Sequence, residues 1–287
     1  MVVAGRMYPA QHMKEENAVY GMYSGLALLM DVHRPARPNG YGIVHISGSG
    51  WSAPLGLDAR QLKESAHVEI EAQPLVESGY TVFSINHRAT PRFPYPAAVE
   101  DAQRAVRFVR HHVGRFGIRP DRIGALGGSS GGHLVSMLGV LGGDGDPEDE
   151  SPVNRESAKV QCVVARAAPS SFLDMHDRGG RALFLSAQIT PRAGTASVEH
   201  RLAAAASPLT HITSGAPPFF LIHGDADDTV PIAQSETMAA ALKKAGVPVK
   251  LTRVAGGVHG PGLVRDPAIA SEIRSWFDEH LRGTEQP

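Results

Sequence analysis

Short apolar runs alternate along this chain with longer stretches in which apolar residues recur at helical spacing. Gly42-Ile-Val-His-Ile46, Tyr80-Thr-Val-Phe-Ser-Ile85, Ile123 to Leu126, Val160-Gln-Cys-Val-Val164, Phe219-Phe-Leu-Ile-His223 and Val249 to Val254 predict strands. Several are apolar without interruption, the pattern of strands covered on both faces. Leu62 to Val76, Ala97 to His111, the stretch through His133 to Leu138, Ile232 to Lys244 and Pro267 to Leu281 predict the intervening helices. Two further strands, near Glu16 to Tyr20 and Leu26 to His33, open the chain and stop at Pro35 and Pro38.

This rhythm predicts an α/β fold: a mostly parallel central sheet with helices on both faces, in a single domain over residues 1–287. One region breaks it. Between Ser170 and Ala206, Phe172, Leu173, Met175, Phe184, Leu185 and Ile189 are scattered among small and polar residues. The segment reads as a small helical cap inserted over the cleft, with an elaborated surface loop as the alternative. There is no internal repeat.

The candidate chemistry sits where one strand meets one helix. Gly124-Ala-Leu-Gly-Gly-Ser-Ser130-Gly-Gly-His133 carries an apolar strand into a glycine-rich turn and out through a helix, the setting that exposes a serine hydroxyl. Ser130 lies at the centre of a G-x-S-x-G reading, between Gly128 and Gly132. A serine hydroxyl is a weak nucleophile at neutral pH and needs a base, which in turn needs an acid to orient it. Both are found downstream, beyond strand ends. His259 stands on the loop Ala255-Gly-Gly-Val-His259-Gly260 and is the candidate base. Asp227, in Gly224-Asp-Ala-Asp-Asp-Thr-Val-Pro231, is the preferred acid, although spacing alone does not separate it from Asp225 and Asp228. His223 reads as a packing residue. Backbone N–H groups able to meet a developing oxyanion are expected from Gly131, immediately after the serine, and from Gly48 and Ser49 in the turn Ser47-Gly-Ser-Gly-Trp51.

Composition narrows the field. With 28 Lys and Arg against 29 Asp and Glu, the formal net charge is -1, so no positive surplus points to nucleic acid. Arg104, Arg107, Arg110 and Arg115 have the spacing of a solvated helix face. A single cysteine, Cys162, excludes an intrachain disulfide and reads as a core residue. Neither a charged-then-apolar leader nor a bilayer-length apolar run is present, so the expectation is a cytoplasmic protein without a membrane partner. No CxxC, HExxH, Walker-type lysine or dinucleotide fingerprint marks a metal or cofactor site, and none is expected.

The elbow, the His223-Gly-Asp-Ala-Asp227 segment followed by Val230-Pro231, and the His259 loop occur in the order of the α/β-hydrolases. The chain resembles in particular the carboxylesterase-like group with hormone-sensitive-lipase-like and feruloyl-esterase-like members. Asn86-His-Arg88 through Asp101 resembles the family segment between oxyanion loop and elbow, with Arg88 and Asp101 structural. The departure is Ser47-Gly48-Ser49-Gly50-Trp51, where the family commonly has His-Gly-Gly-Gly-Trp. The resemblance implies cofactor-free ester hydrolysis through an acyl-enzyme on small to medium carboxylic esters, and it allows a homodimer. Trp51, Phe172 and Phe184 are candidates for a substrate-binding wall suited to aromatic groups. The alternative is a serine peptidase or acylaminoacyl hydrolase of the same fold, and outside catalysis, a silent binding protein on that scaffold.

Overall fold

The computed structural model describes residues 12–174, 180–186 and 197–282. Strands β1 (Met13–Tyr23) and β2 (Leu26–Arg34) form an antiparallel ribbon. Its turn residues Ser24 and Gly25 both have positive φ, 45° and 84°, the backbone twist that a two-residue hairpin favours. Then come β3 (Gly42–Ile46), β4 (Thr81–Ile85), β5 (Ile123–Gly128), β6 (Val163–Arg166), β7 (Phe219–Gly224) and β8 (Val249–Val254). They build one sheet in the order β1-β2-β4-β3-β5-β6-β7-β8. β1 and β2 pair antiparallel, as do β2 and β4, and every later pair is parallel.

Each residue of β3 to β7 is buried, because helices cover both faces. α2 (Ala97–His111), α4 (Ser130–Leu141) and α7 (Ala233–Lys244) contribute to the larger apolar core. α1 (Gln73–Glu77) and α8 (Pro267–Arg282) close the smaller one on the opposite face. α3 (Val113–Phe116) follows α2 and ends at Gly117, whose φ of 65° halts the helix. β3 has β4 on one side and β5 on the other, so the strand order reverses there. The carboxyl ends of strands at such a switch point flank the crevice in which open α/β sheets bind ligands.

Two sequence expectations are corrected. Leu62 to Val76 is not one helix but a 3-10 turn (Leu62–Glu64), a π turn (Val68–Ala72) and the short α1. Pro74 lacks an N–H, and its ring crowds the carbonyl four residues earlier; the π turn absorbs that mismatch and directs Glu71 and Ala72 inward. The strand expected at Val160 to Val164 starts at Val163 and reaches Arg166, with Cys162 buried just before it.

Between β6 and β7 lie α5 (Gly180–Leu185), α6 (Val198–Ala206) and a 3-10 turn (Pro208–His211). Ser197 caps α6 by accepting the His200 N–H. Met175 and Ile189, assigned above to the cap, lie outside the described residues. Among the described residues, no helix is long and apolar enough to cross a membrane.

Candidate active site

β5 ends at Gly128 and α4 begins at Ser130. The residue between them, Ser129, has φ 53° and ψ -123°, a costly conformation for a residue with a side chain and the one a strand-to-helix elbow requires. Two backbone hydrogen bonds hold it: its N–H donates to the Arg166 carbonyl (2.7 Å), and its carbonyl accepts from the His133 N–H (2.9 Å).

The imidazole of His259 meets this serine. Nε2 of His259 lies 2.9 Å from the Ser129 Oγ, and Nδ1 lies 2.7 Å from Asp227 Oδ2. The expectation that Ser130 faces the base is therefore corrected by one residue. Ser130 is the first residue of α4 and is 1% exposed. Its hydroxyl oxygen turns toward the oxyanion loop and accepts the Ser49 N–H at 2.8 Å.

Of the three carboxylates beyond β7, Asp227 reaches the imidazole. Its Oδ1 accepts the N–H groups of Thr229 (2.9 Å) and Val230 (2.8 Å), which leaves Oδ2 aimed at His259. Asp225 instead accepts the Gly256 N–H (2.7 Å) and ties two turns together, while Asp228 accepts the Thr229 hydroxyl. His223 is buried behind Asp227, bonded to the Ser235 hydroxyl (2.7 Å) and the Val230 carbonyl (2.9 Å). Burial lowers its pKa and keeps it neutral. A carboxylate that accepts from Nδ1–H leaves Nε2 free to take a proton from the serine, so the series can work as a proton relay.

The turn after β3 also borders this serine. A Cβ on Gly48 would stand 2.7 Å from the Gly128 carbonyl oxygen and 3.0 Å from the Ser129 Cβ, so only glycine fits there and its backbone borders the serine. The other expected donors are corrected. The Ser49 N–H is taken by Ser130. Gly131 is no longer the residue after the serine; a side chain on it would overlap the Ile46 carbonyl oxygen, so it lets α4 pack against the end of β3. The N–H following Ser129 is that of Ser130.

The aromatic wall is also corrected. Trp51, Phe172 and Phe184 are buried at 5%, 0% and 0% exposure. Trp51 stacks on Phe184 (centroids 4.7 Å, 20° between planes) and also meets Phe172. His133 sits among them. Its Nδ1 accepts the Trp51 indole N–H (3.0 Å), and its Nε2–H donates to the Ala206 carbonyl (2.8 Å). The cluster is core, linking the oxyanion loop to α4 and to the end of α6.

Burial pushes the His133 pKa down to about 4. The unfolded chain takes up this proton near pH 6.5, whereas the folded protein resists until about 4. The contribution is complete above pH 6.5 and is lost as pH falls from there to 4, amounting to about 3 kcal/mol. Urea unfolding measured across that window should show His133→Gln with a flatter loss than the parent; parallel curves would refute the assignment.

Besides Ser129, sequence reasoning missed a polar group behind the elbow: buried His45 on β3, Glu71 in the π turn and Arg166 at the end of β6, with the half-buried His67 beside them. An arginine closing an otherwise apolar strand was the available signal. Among the described residues, no cluster of His, Cys, Asp or Glu has the arrangement of a metal site.

The BD-FAE family model matches residues 30–242. A probable carboxylic ester hydrolase of Mycobacterium tuberculosis, LipM, is 32% identical over 172 residues, covering 59% of this chain and 39% of LipM. Esterase LipC of the same organism is 26% identical over 247 residues, 84% of this chain and 58% of LipC. The chain thus spans less than two thirds of the length of these curated relatives. Among solved structures, a truncated carbohydrate esterase from gut microbiota has a TM-score of 0.78 at 26% identity, covering 97% of this chain and 100% of that one. An acetyl ester-xyloside bifunctional hydrolase from Caldicellulosiruptor lactoaceticus has a TM-score of 0.75 at 27% identity, covering 96% and 98%.

Proposed function

The chain belongs to the BD-FAE family of carboxylesterase-like α/β-hydrolases, and on that footing we propose that it is a serine carboxylesterase with Ser129 as nucleophile, His259 as base and Asp227 as orienting acid. The observation that carries this reading is the 2.9 Å approach of His259 Nε2 to the Ser129 Oγ, with Asp227 at 2.7 Å from the other ring nitrogen. Ser129 attacks the ester carbonyl while His259 takes its proton. The N–H groups of Ser130 and Gly48 receive the oxyanion. His259 then protonates the departing alcohol and activates the water that frees the acid.

Small to medium carboxylic esters are the proposed substrates, acetyl esters foremost. The two solved relatives described as carbohydrate and acetyl esterases support this choice. The buried state of Phe172 and Phe184 supports it too, since neither offers a surface to a long acyl chain. The region 170–206 is taken as a cap inserted into a single domain. A free, buried Cys162 suits a reducing cytoplasm.

A fluorophosphonate probe followed by peptide mass spectrometry tests the mechanism. One adduct per chain is expected, on Ser129, together with turnover of p-nitrophenyl acetate that exceeds turnover of the octanoate. Faster cleavage of a matched p-nitroanilide would favour the peptidase alternative. Ester turnover without a Ser129 adduct would overturn the mechanism.

A further inference from the structure

The two N–H groups proposed to receive the oxyanion come from different loops, one after β3 and one after β5, and a buried polar chain runs behind both. Arg166 is 1% exposed. Its Nε–H donates to Glu71 Oε1 at 2.6 Å, and its Nη2–H donates to His67 Nδ1 at 3.1 Å. A guanidinium can only donate, so His67 accepts at Nδ1 and carries its proton on Nε2. The longer 3.5 Å approach of the same Nδ1 to Glu71 Oε2 is then no hydrogen bond. That oxygen accepts instead from His45 Nε2–H at 3.0 Å. Burial raises the Glu71 carboxyl, but the Arg166 guanidinium and the His45 imidazole outweigh it and hold Glu71 well below the usual carboxylate range.

This chain of groups touches both walls. On the elbow side the guanidinium lies against Gly128, where any side chain would overlap Nη2, and the Arg166 carbonyl holds the Ser129 N–H. On the loop side, the point where a Gly48 Cβ would stand is 3.0 Å from His67 Cε1 and 3.0 Å from the Ser129 Cβ. At most twice that distance therefore separates the imidazole from the serine. The Ser65 hydroxyl oxygen accepts the His67 N–H (3.3 Å), and that hydroxyl donates to Ser47 Oγ (2.8 Å), so His67 and the oxyanion turn share a second brace.

Stability alone does not require these residues. A buried ion pair gains little over apolar side chains of the same volume, and the rest of β6 is apolar. The charges do supply directional contacts to two loops at once.

Resting on the Ser129 reading, we propose that His67, held in one tautomer by the Arg166–Glu71 pair, is a positioning residue that sets the Gly48 turn against the serine elbow so that both N–H groups converge on the forming oxyanion. His67 acts through Gly48 and takes no proton in the reaction.

His67 is 17% exposed at its side chain, so truncation leaves the core intact. His67→Ala is expected to lower kcat for p-nitrophenyl acetate roughly ten- to hundredfold, the scale of a displaced rather than deleted oxyanion donor. KM should stay within about twofold, because substrate binds before the oxyanion forms. Affinity for a reversible trifluoromethyl ketone should fall by the same factor as kcat/KM. His67→Gln, whose amide oxygen can still accept from Arg166, should recover part of the loss. Unchanged kcat and inhibitor affinity in His67→Ala would overturn the proposal, as would a loss that merely follows a lowered Tm. Turnover surviving in Ser129→Ala would instead sink the underlying mechanism, so the two failures are distinguishable.

Discussion

Ser129→Ala is expected to lower kcat/KM for ester hydrolysis by roughly 10⁵- to 10⁶-fold, the cost of deleting the nucleophile from a serine triad, while Ser130→Ala loses about tenfold or less. The two side chains are neighbours with separate partners. The Ser129 hydroxyl faces the imidazole, and its loss leaves no group to form an acyl-enzyme. The Ser130 hydroxyl oxygen accepts the Ser49 N–H inside the protein. Removing it strands one buried donor, at a cost of about 1–3 kcal/mol in stability, but keeps the Ser130 backbone N–H beside the reacting carbonyl. Steady-state kinetics on the two purified variants, with Tm as a control, decide the matter. The reverse order of effects would restore Ser130 as nucleophile and discard the elbow geometry.

Asp227→Asn should cost roughly 10⁴-fold at neutral pH, against less than about tenfold for Asp225→Asn or Asp228→Asn. The difference follows from how Asp227 is anchored. The N–H groups of Thr229 and Val230 both donate to Oδ1, so an asparagine must place its carbonyl oxygen there and turn its NH₂ toward His259. The imidazole then has to accept at Nδ1, which puts its proton on Nε2, facing the serine it should deprotonate. Asp225 and Asp228 bond only to turn partners. Equal losses in the three variants would show that the carboxylates act as a group.

The alternation of strands and helices was legible because burial on both faces leaves a strong mark: β3 to β7 are nearly continuous apolar runs, and α2 carries its arginines on one face. The elbow was legible as a region but not to the residue. Gly127 to Gly132 satisfies G-x-S-x-G twice, once around Ser129 and once around Ser130. The choice is made by backbone geometry: the serine that ends the strand with positive φ projects outward, and the next one begins the helix and is buried. His67, Glu71 and Arg166 escaped for another reason. They lie far apart along the chain, and a buried charge becomes meaningful only beside its partner. The helix expected through Pro74 failed on local backbone chemistry that a hydrophobic pattern does not carry.

The insertion between β6 and β7 is fastened to three separate parts of the fold. The Tyr95 N–H donates to the Phe184 carbonyl and the Tyr95 hydroxyl to Ala205, while Phe184 rests on Trp51 and Ala206 is held by His133. These contacts bind α5 and the end of α6 to the turn after β3, to the loop before α2 and to α4. Loosening α5 or the end of α6 at these points would therefore pull on the turn after β3 and on the helix that begins at Ser130 together.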